Sequence, residues 1–164
     1  MKIGVIADTH IPVTAKELPP KVYEHFKDCA LIIHAGDIVE MHVLEELEKI
    51  AEVKAVYGNM DSREIVNNLP EKISFEAEGK KIGVVHGKGS ASKIIENVKQ
   101  SFTKKQDIII FGHSHVPINK TIDGILLFNP GSATDRIFSP YRTIGIIEIE
   151  GGEVRAEIIK LEEE

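Results

Sequence analysis

Apolar residues recur along this chain with two alternating periods. The run KIGVIA (2–7) has the length and unbroken apolar character of a buried strand, and it stops at Asp8. After the loop HIPVTAKEL, Pro19 and Pro20 stand where a helix can begin, and Val22, Tyr23 and Phe26 give it one apolar face. ALII (30–33) predicts a second buried strand, closed by the polar stop HAGD. Val43, Leu44, Leu47 and Ile50 return at helical spacing and predict a helix over 40–50. VKAVY (53–57) is a third strand, ended by GNMD. Strand, loop, helix and strand in repeated order require crossover connections, hence a largely parallel sheet.

The second half changes character. KISFEAEGKKIGVVHG predicts two strands with a turn at Glu78, Gly79 and Lys80, ending in His86 and Gly87. Ile94, Ile95, Val98 and Phe102 mark a helix over about 91–103, and the strand DIIIF (107–111) follows it. INKTI and ILLFN flank Asp123-Gly124, a turn pair suited to positive φ. TIGIIEIE and EVRAEIIKL, joined by Gly151 and Gly152, close the chain as a last hairpin. No Ser- or Pro-rich linker and no internal repeat interrupts the sequence. The expectation is one domain over 1–164, mixed α/β, parallel in its first part and meandering at its end.

Composition narrows the partners. At 164 residues the chain can bury its own core without disulfides, and Cys29 is its only cysteine. The apolar run before Asp8 is too short for a signal peptide, and no run approaches membrane-spanning length, so the expectation is a cytoplasmic protein. A net charge of -6 argues against an extended nucleic-acid surface, which needs a basic face to displace counterions. It leaves room for a small phosphorylated substrate held by something other than Lys and Arg.

Five strands end in similar polar clusters. DTH offers Asp8 and His10, GD offers Asp37, GN offers Asn59, HG offers His86, and GHSH offers His113 and His115. Each alone has a structural explanation: a turn cap at Asp8 and His10, a common turn pair at Gly58-Asn59, a loop carboxylate at Asp37, a hydrogen-bonded loop histidine at His86. In open α/β sheets, however, the carboxyl ends of neighbouring strands converge on one crevice. Seven oxygen and nitrogen donors exceed what one catalytic ion uses, which suggests two ions. Two divalent cations about 3.5–4 Å apart repel by roughly 19 kcal/mol at an effective dielectric near 20, so an anion must sit between them. The mixed N and O set without thiolate suits manganese, iron, zinc, nickel or cobalt better than calcium. His25 and His42 fall in helical stretches and read as surface residues, while His34 reads as a structural hydrogen bonder.

DTH, GD, GN, HG and GHSH, in this order and at these intervals, resemble the calcineurin-like metallophosphoesterases, and the resemblance runs from Asp8 to the NPGSATD segment at 129–135. Among its branches the chain looks most like the small single-domain phosphodiesterases, and DTHIP, LPP and NPGSAT are also similar to a retromer subunit of the same fold. The resemblance implies a four-layer αββα sandwich of two mixed sheets flanked by helices. It implies Asp8, His10 and His115 on one metal and Asn59, His86 and His113 on the other, with Asp37 bridging. A metal-bridging hydroxide would then attack phosphorus of a small phosphodiester, with two divalent ions, manganese first, as cofactors. Where much of the family has a proton-donating His after GN, this chain has Met60, and Asp61 is left to orient a neighbour. That departure favours leaving groups that need no help, such as aryl or cyclic nucleotide esters. Lys88, Ser90 and Arg136 are candidates to touch phosphate. GKGS at 87–90 lacks the spacing of a phosphate-binding P-loop. The rival expectation is a metal-binding scaffold for other proteins with little catalysis, and a homo-oligomer stays open.

Overall fold

The computed structural model describes residues 1–161. Its elements run β1 (Lys2–Ile6), α1 (Pro20–Phe26), β2 (Leu31–His34), α2 (His42–Glu48), β3 (Glu52–Ala55), α3 (Arg63–Asn68), β4 (Lys72–Ala77), β5 (Lys80–Val85), α4 (Ile94–Gln100), β6 (Ile108–Ile110), β7 (Ile118–Ile122), β8 (Ile125–Asn129), β9 (Thr143–Glu150) and β10 (Glu153–Lys160). They form two five-stranded mixed sheets, ordered β10-β9-β1-β2-β3 and β4-β5-β6-β8-β7. In the first, β1, β2 and β3 are parallel and β9 lies antiparallel to β1. In the second, β5, β6 and β8 are parallel and β4 and β7 are antiparallel edges.

Strand periodicity sorts the apolar side chains into layers, because successive residues face opposite sides. Ile3 and Val5 of β1 and Leu31 and Ile33 of β2 meet Ile82, Val84, Ile108, Ile110 and Phe128 in a dry layer between the sheets. Their neighbours Ile6 and Ile32 face outward under Val22 and Phe26 of α1 and Val43, Leu44 and Leu47 of α2. Val85, Ile109 and Leu127 do the same beneath Ile94 and Val98 of α4. The result is the expected α/β sandwich: helices, sheet, sheet, helix.

Four local features depart from the sequence reading. The helices are shorter than their apolar spacing suggests, and β2 extends through His34 instead of stopping before it. α3 is additional: Ser62 caps it by accepting from the Ile65 N–H at 3.4 Å, but Ile65 is its only buried residue, too few to leave a period. The tail is not a simple meander either. After β7 the chain returns as β8 parallel to β6, and β9 crosses back into the first sheet.

Candidate metal centre

Parallel strands β1, β2, β3, β5 and β6 all deliver their carboxyl ends to one edge of the sandwich, and the loops leaving them carry the seven candidate residues. Asp8 Oδ1 lies 3.8 Å from His10 Nε2, 3.8 Å from His86 Nε2 and 3.6 Å from His115 Nε2. Asp37 Oδ2 is 3.4 Å from His10 Nε2 and 3.2 Å from His86 Nε2. Asn59 Oδ1 stands 3.1 Å from His86 Nε2 and 3.3 Å from His113 Nδ1. The seven residues therefore gather in one place. In two groups the candidate ligand atoms all lie within 4.8 Å of one another: Asp8 with His10 and His115, and Asp8 with Asp37 and His86.

The outer hydrogen bonds decide which ring nitrogens face inward with a lone pair. His86 Nδ1 lies 2.8 Å from the Ala35 carbonyl, and a carbonyl can only accept, so Nδ1 carries the proton. His113 Nε2 donates likewise to the Gly89 carbonyl at 3.1 Å, and His115 Nδ1 donates to the Asp135 carboxylate at 2.5 Å. In their neutral forms all three rings then aim an acceptor at Asn59 or Asp8, which are acceptors too. Asp8 Oδ1 and His10 Nε2 are buried and have no hydrogen-bond partner. Acceptor facing acceptor in a buried pocket is costly unless a cation sits among them, and this donor set fits a divalent metal.

Protons answer the same electrostatics. Burial pulls His86 down, but the Asp37 carboxylate bonded to it and the Asp8 charge outweigh burial and raise it to about 9. His10 is raised too, with burial opposed by Asp8 and Asp37. Asp37 is lowered, because the His86 contact overcomes the desolvation that would raise it.

Strained backbone holds the cluster. Asp8, His10, Asp37, His113 and His115 all have φ between 42° and 72°, a region costly for residues with a Cβ. Asp61 stabilises part of this. Its Oδ1 accepts from the N–H groups of Ile38 at 2.6 Å and Val39 at 2.7 Å, and its Oδ2 from those of Asp37 at 3.0 Å and Gly58 at 2.7 Å. The motif glycines follow from close approach: a Cβ on Gly112 would lie 2.8 Å from Asp8 Oδ2, and one on Gly58 would fall on the Asp37 carboxylate.

Two supporting residues escape the sequence reading. Asp135 accepts from His115 through Oδ2 and from the N–H groups of Ile137 and Phe138 through Oδ1, at 2.8 and 3.3 Å. Burial raises its carboxyl, yet the His115 bond and those N–H groups leave it lowered. Ser132 fixes the backbone of Asp8 by donating to its carbonyl at 2.8 Å. Both lie in NPGSATD, and no apolar spacing distinguishes them from loop polar residues.

Other candidates find separate places. His34 is fully buried, accepts from the Gly36 N–H through Nδ1 at 3.2 Å and meets Thr9 Oγ1 through Nε2 at 3.0 Å; burial and the neighbouring His86 lower it to about 3. His42 is exposed beside Glu40, and His25 is half-buried on α1. Ser90 is exposed and bonded to Ser92, Arg136 is exposed next to Asp135, and Lys88 borders a cavity beside Asn59.

The chain is also similar to known proteins. The chain is 38% identical over 162 residues to a probable metallophosphoesterase of Methanothermobacter thermautotrophicus, covering 98% of this chain and 92% of the relative. It is 31% identical over 176 residues to a phosphodiesterase of Methanocaldococcus jannaschii, covering 98% and 100%. Its fold superposes with a TM-score of 0.81 on vacuolar protein sorting 29 of Chaetomium thermophilum, at 20% identity and 98% and 97% coverage. The calcineurin-like phosphoesterase superfamily domain matches residues 1–152, and with this site at the strand ends the chain belongs to that superfamily.

Proposed function

We propose that the protein is a dinuclear metal-dependent phosphodiesterase. Asp8, His10 and His115 hold one divalent ion, Asn59, His86 and His113 the other, and Asp37 is shared between them. The observation that carries this reading is the buried set of mutually facing acceptors, with Asp8 Oδ1 and His10 Nε2 unpartnered. The position of Asp37 Oδ2, within 3.4 Å of both His10 and His86, supports its shared role. Two divalent ions, manganese first and nickel, zinc, iron or cobalt as alternatives, supply a deprotonated water near neutral pH and neutralise charge on phosphoryl oxygens.

The chain's own residues set the rest. The tautomers fixed by Ala35, Gly89 and Asp135 keep each imidazole turned inward. Asp61 clamps the backbone of Asp37 and Gly58 and so positions Asp37 and Asn59. Met60 has no proton to give, which restricts efficient turnover to esters whose leaving group departs as a stable anion. Among the described residues no helix is long and apolar enough to cross a membrane. Cys29 is a buried free thiol that burial pushes up to about 11, so it is a poor nucleophile.

Hydrolysis of a bis-aryl phosphate with added manganese or nickel tests the reading. Activity is expected in the native protein and a loss of at least about 100-fold in Asp37→Ala and His86→Ala. Equal rates in all three would refute it. A second reading, a scaffold for other proteins, is favoured by one observation: Ile137 and Phe138 stand 83% and 77% exposed beside the centre. The rival is a metal-binding scaffold with little catalysis, which keeps the same ligand set, so the bis-aryl phosphate assay separates the two: a scaffold binds the metal without hydrolysing the ester.

A further inference from the structure

A cavity of about 210 Å³ opens beside Asn59 and His86, bounded by Tyr57, Val85, Glu71 and Lys88. It is smaller than the roughly 300–1,000 Å³ that encloses a drug-sized ligand whole, so it suits one substituent of a substrate and not a whole dinucleotide. Its lining is of two kinds. Asn59 and His86 are candidate metal ligands, beside which a phosphoryl group belongs. Of the rest, the half-buried Tyr57 and the buried Val85 contribute apolar surface, while the exposed Glu71 and Lys88 bring one acceptor and one donor of opposite charge.

The walls are built, not incidental. The Tyr57 N–H donates to the Pro70 carbonyl at 3.1 Å, which holds Glu71 beside Tyr57. The loop carrying Lys88 is tied at two carbonyls: Lys88 O accepts from Asn97 Nδ2 at 2.8 Å and Gly89 O from His113 Nε2 at 3.1 Å. The second tie fastens this wall to a candidate ligand.

We propose that this cavity is a subsite for a heteroaromatic, nucleobase-like group of the phosphodiester substrate. A flat ring packs on Tyr57, Glu71 accepts from an exocyclic amine, and Lys88 donates to a ring nitrogen or carbonyl. This rests on the phosphodiesterase reading above and adds the substrate class to it. A plain alkyl ester has nothing to offer either charged wall.

The test compares two esters with the same leaving group, the p-nitrophenyl ester of adenosine 5′-monophosphate and methyl p-nitrophenyl phosphate, on manganese-loaded protein. The native protein is expected to favour the adenosine ester in kcat/KM by about tenfold or more. Glu71→Ala and Tyr57→Leu are each expected to reduce that preference at least about fivefold. Glu71 is exposed, so its variant keeps the test sound if replacing Tyr57, which packs on the core, disturbs folding. An unchanged preference in Glu71→Ala, or no preference in the native protein, overturns the subsite. Should neither ester be hydrolysed, calorimetry with adenosine 5′-monophosphate separates the two ideas. Binding weakened by Glu71→Ala upholds the subsite while the phosphodiesterase reading falls; no binding, or equal binding, removes both.

Discussion

The Asp135 side chain reaches the site through His115, and its two oxygens are both committed, one to the His115 ring and one to the N–H groups of Ile137 and Phe138. Replacing it by Asn keeps the shape but removes the charge that fixes the ring's proton on Nδ1. Asp135→Asn should weaken manganese binding by about 10–100-fold, measurable by calorimetry on metal-stripped protein; affinity within twofold of native would show that His115 needs no such partner. Met60 gives a second residue-scale prediction. Its N–H donates to Asp37 Oδ1 at 2.8 Å while its side chain is 60% exposed, so the position borders the centre without filling it. Met60→His should raise turnover of alkyl phosphates relative to aryl ones by about tenfold or more, and a constant ratio would sink the missing-acid account.

Among the loops that follow the strands, the one after β2 is the most strained: Asp37 has φ 57° and the β-branched Val39 φ 80°. Asp61, from the loop after β3, compensates by accepting four backbone N–H groups across the two loops. Asp61→Ala would leave those donors without their carboxylate and should destabilise the metal-free protein by about 3 kcal/mol or more, seen in the urea midpoint. A midpoint equal to native would mean that the strained loop holds itself. This bears on what the sequence reveals. The seven candidate ligands are legible because each lies in a polar cluster that follows an apolar run long enough to be a strand, and strand ends in such a fold share an edge. Asp61 is legible only as a neighbour of Asn59, since its four partners belong to backbone with no side-chain signature. α3 is hidden by having one buried residue, and Asp135 by lying in a loop where spacing carries no information.

For the molecule as a whole, two buried histidines pull stability in opposite directions with pH. His86, raised to about 9 from its ordinary 6.5, contributes stability that is complete below about 6.5 and is lost as pH rises through 9. His34, lowered to about 3, contributes stability that is present above about 6.5 and lost as pH falls toward 3. Metal-free protein should therefore be most stable near pH 6.5 and weaken by an amount on the order of a few kcal/mol toward pH 9. Saturation with manganese replaces the His86 proton, so the alkaline loss should vanish and metal binding at pH 7.5 should release protons, read from calorimetric enthalpies in buffers of different ionisation heat. An alkaline decline that persists with metal bound would contradict the placement of His86.

The order of the first sheet also has a consequence for how the chain comes into being. β1 lies between β2 and β9, with Ile3 beside both Leu31 and Ile147. On the ribosome the opening strand can gain its first neighbour early, but its other edge stays bare until nearly the whole polypeptide has emerged. During that interval a long apolar ribbon is open to pairing with the wrong chain, and nascent copies released before residue 143 would be the ones that aggregate.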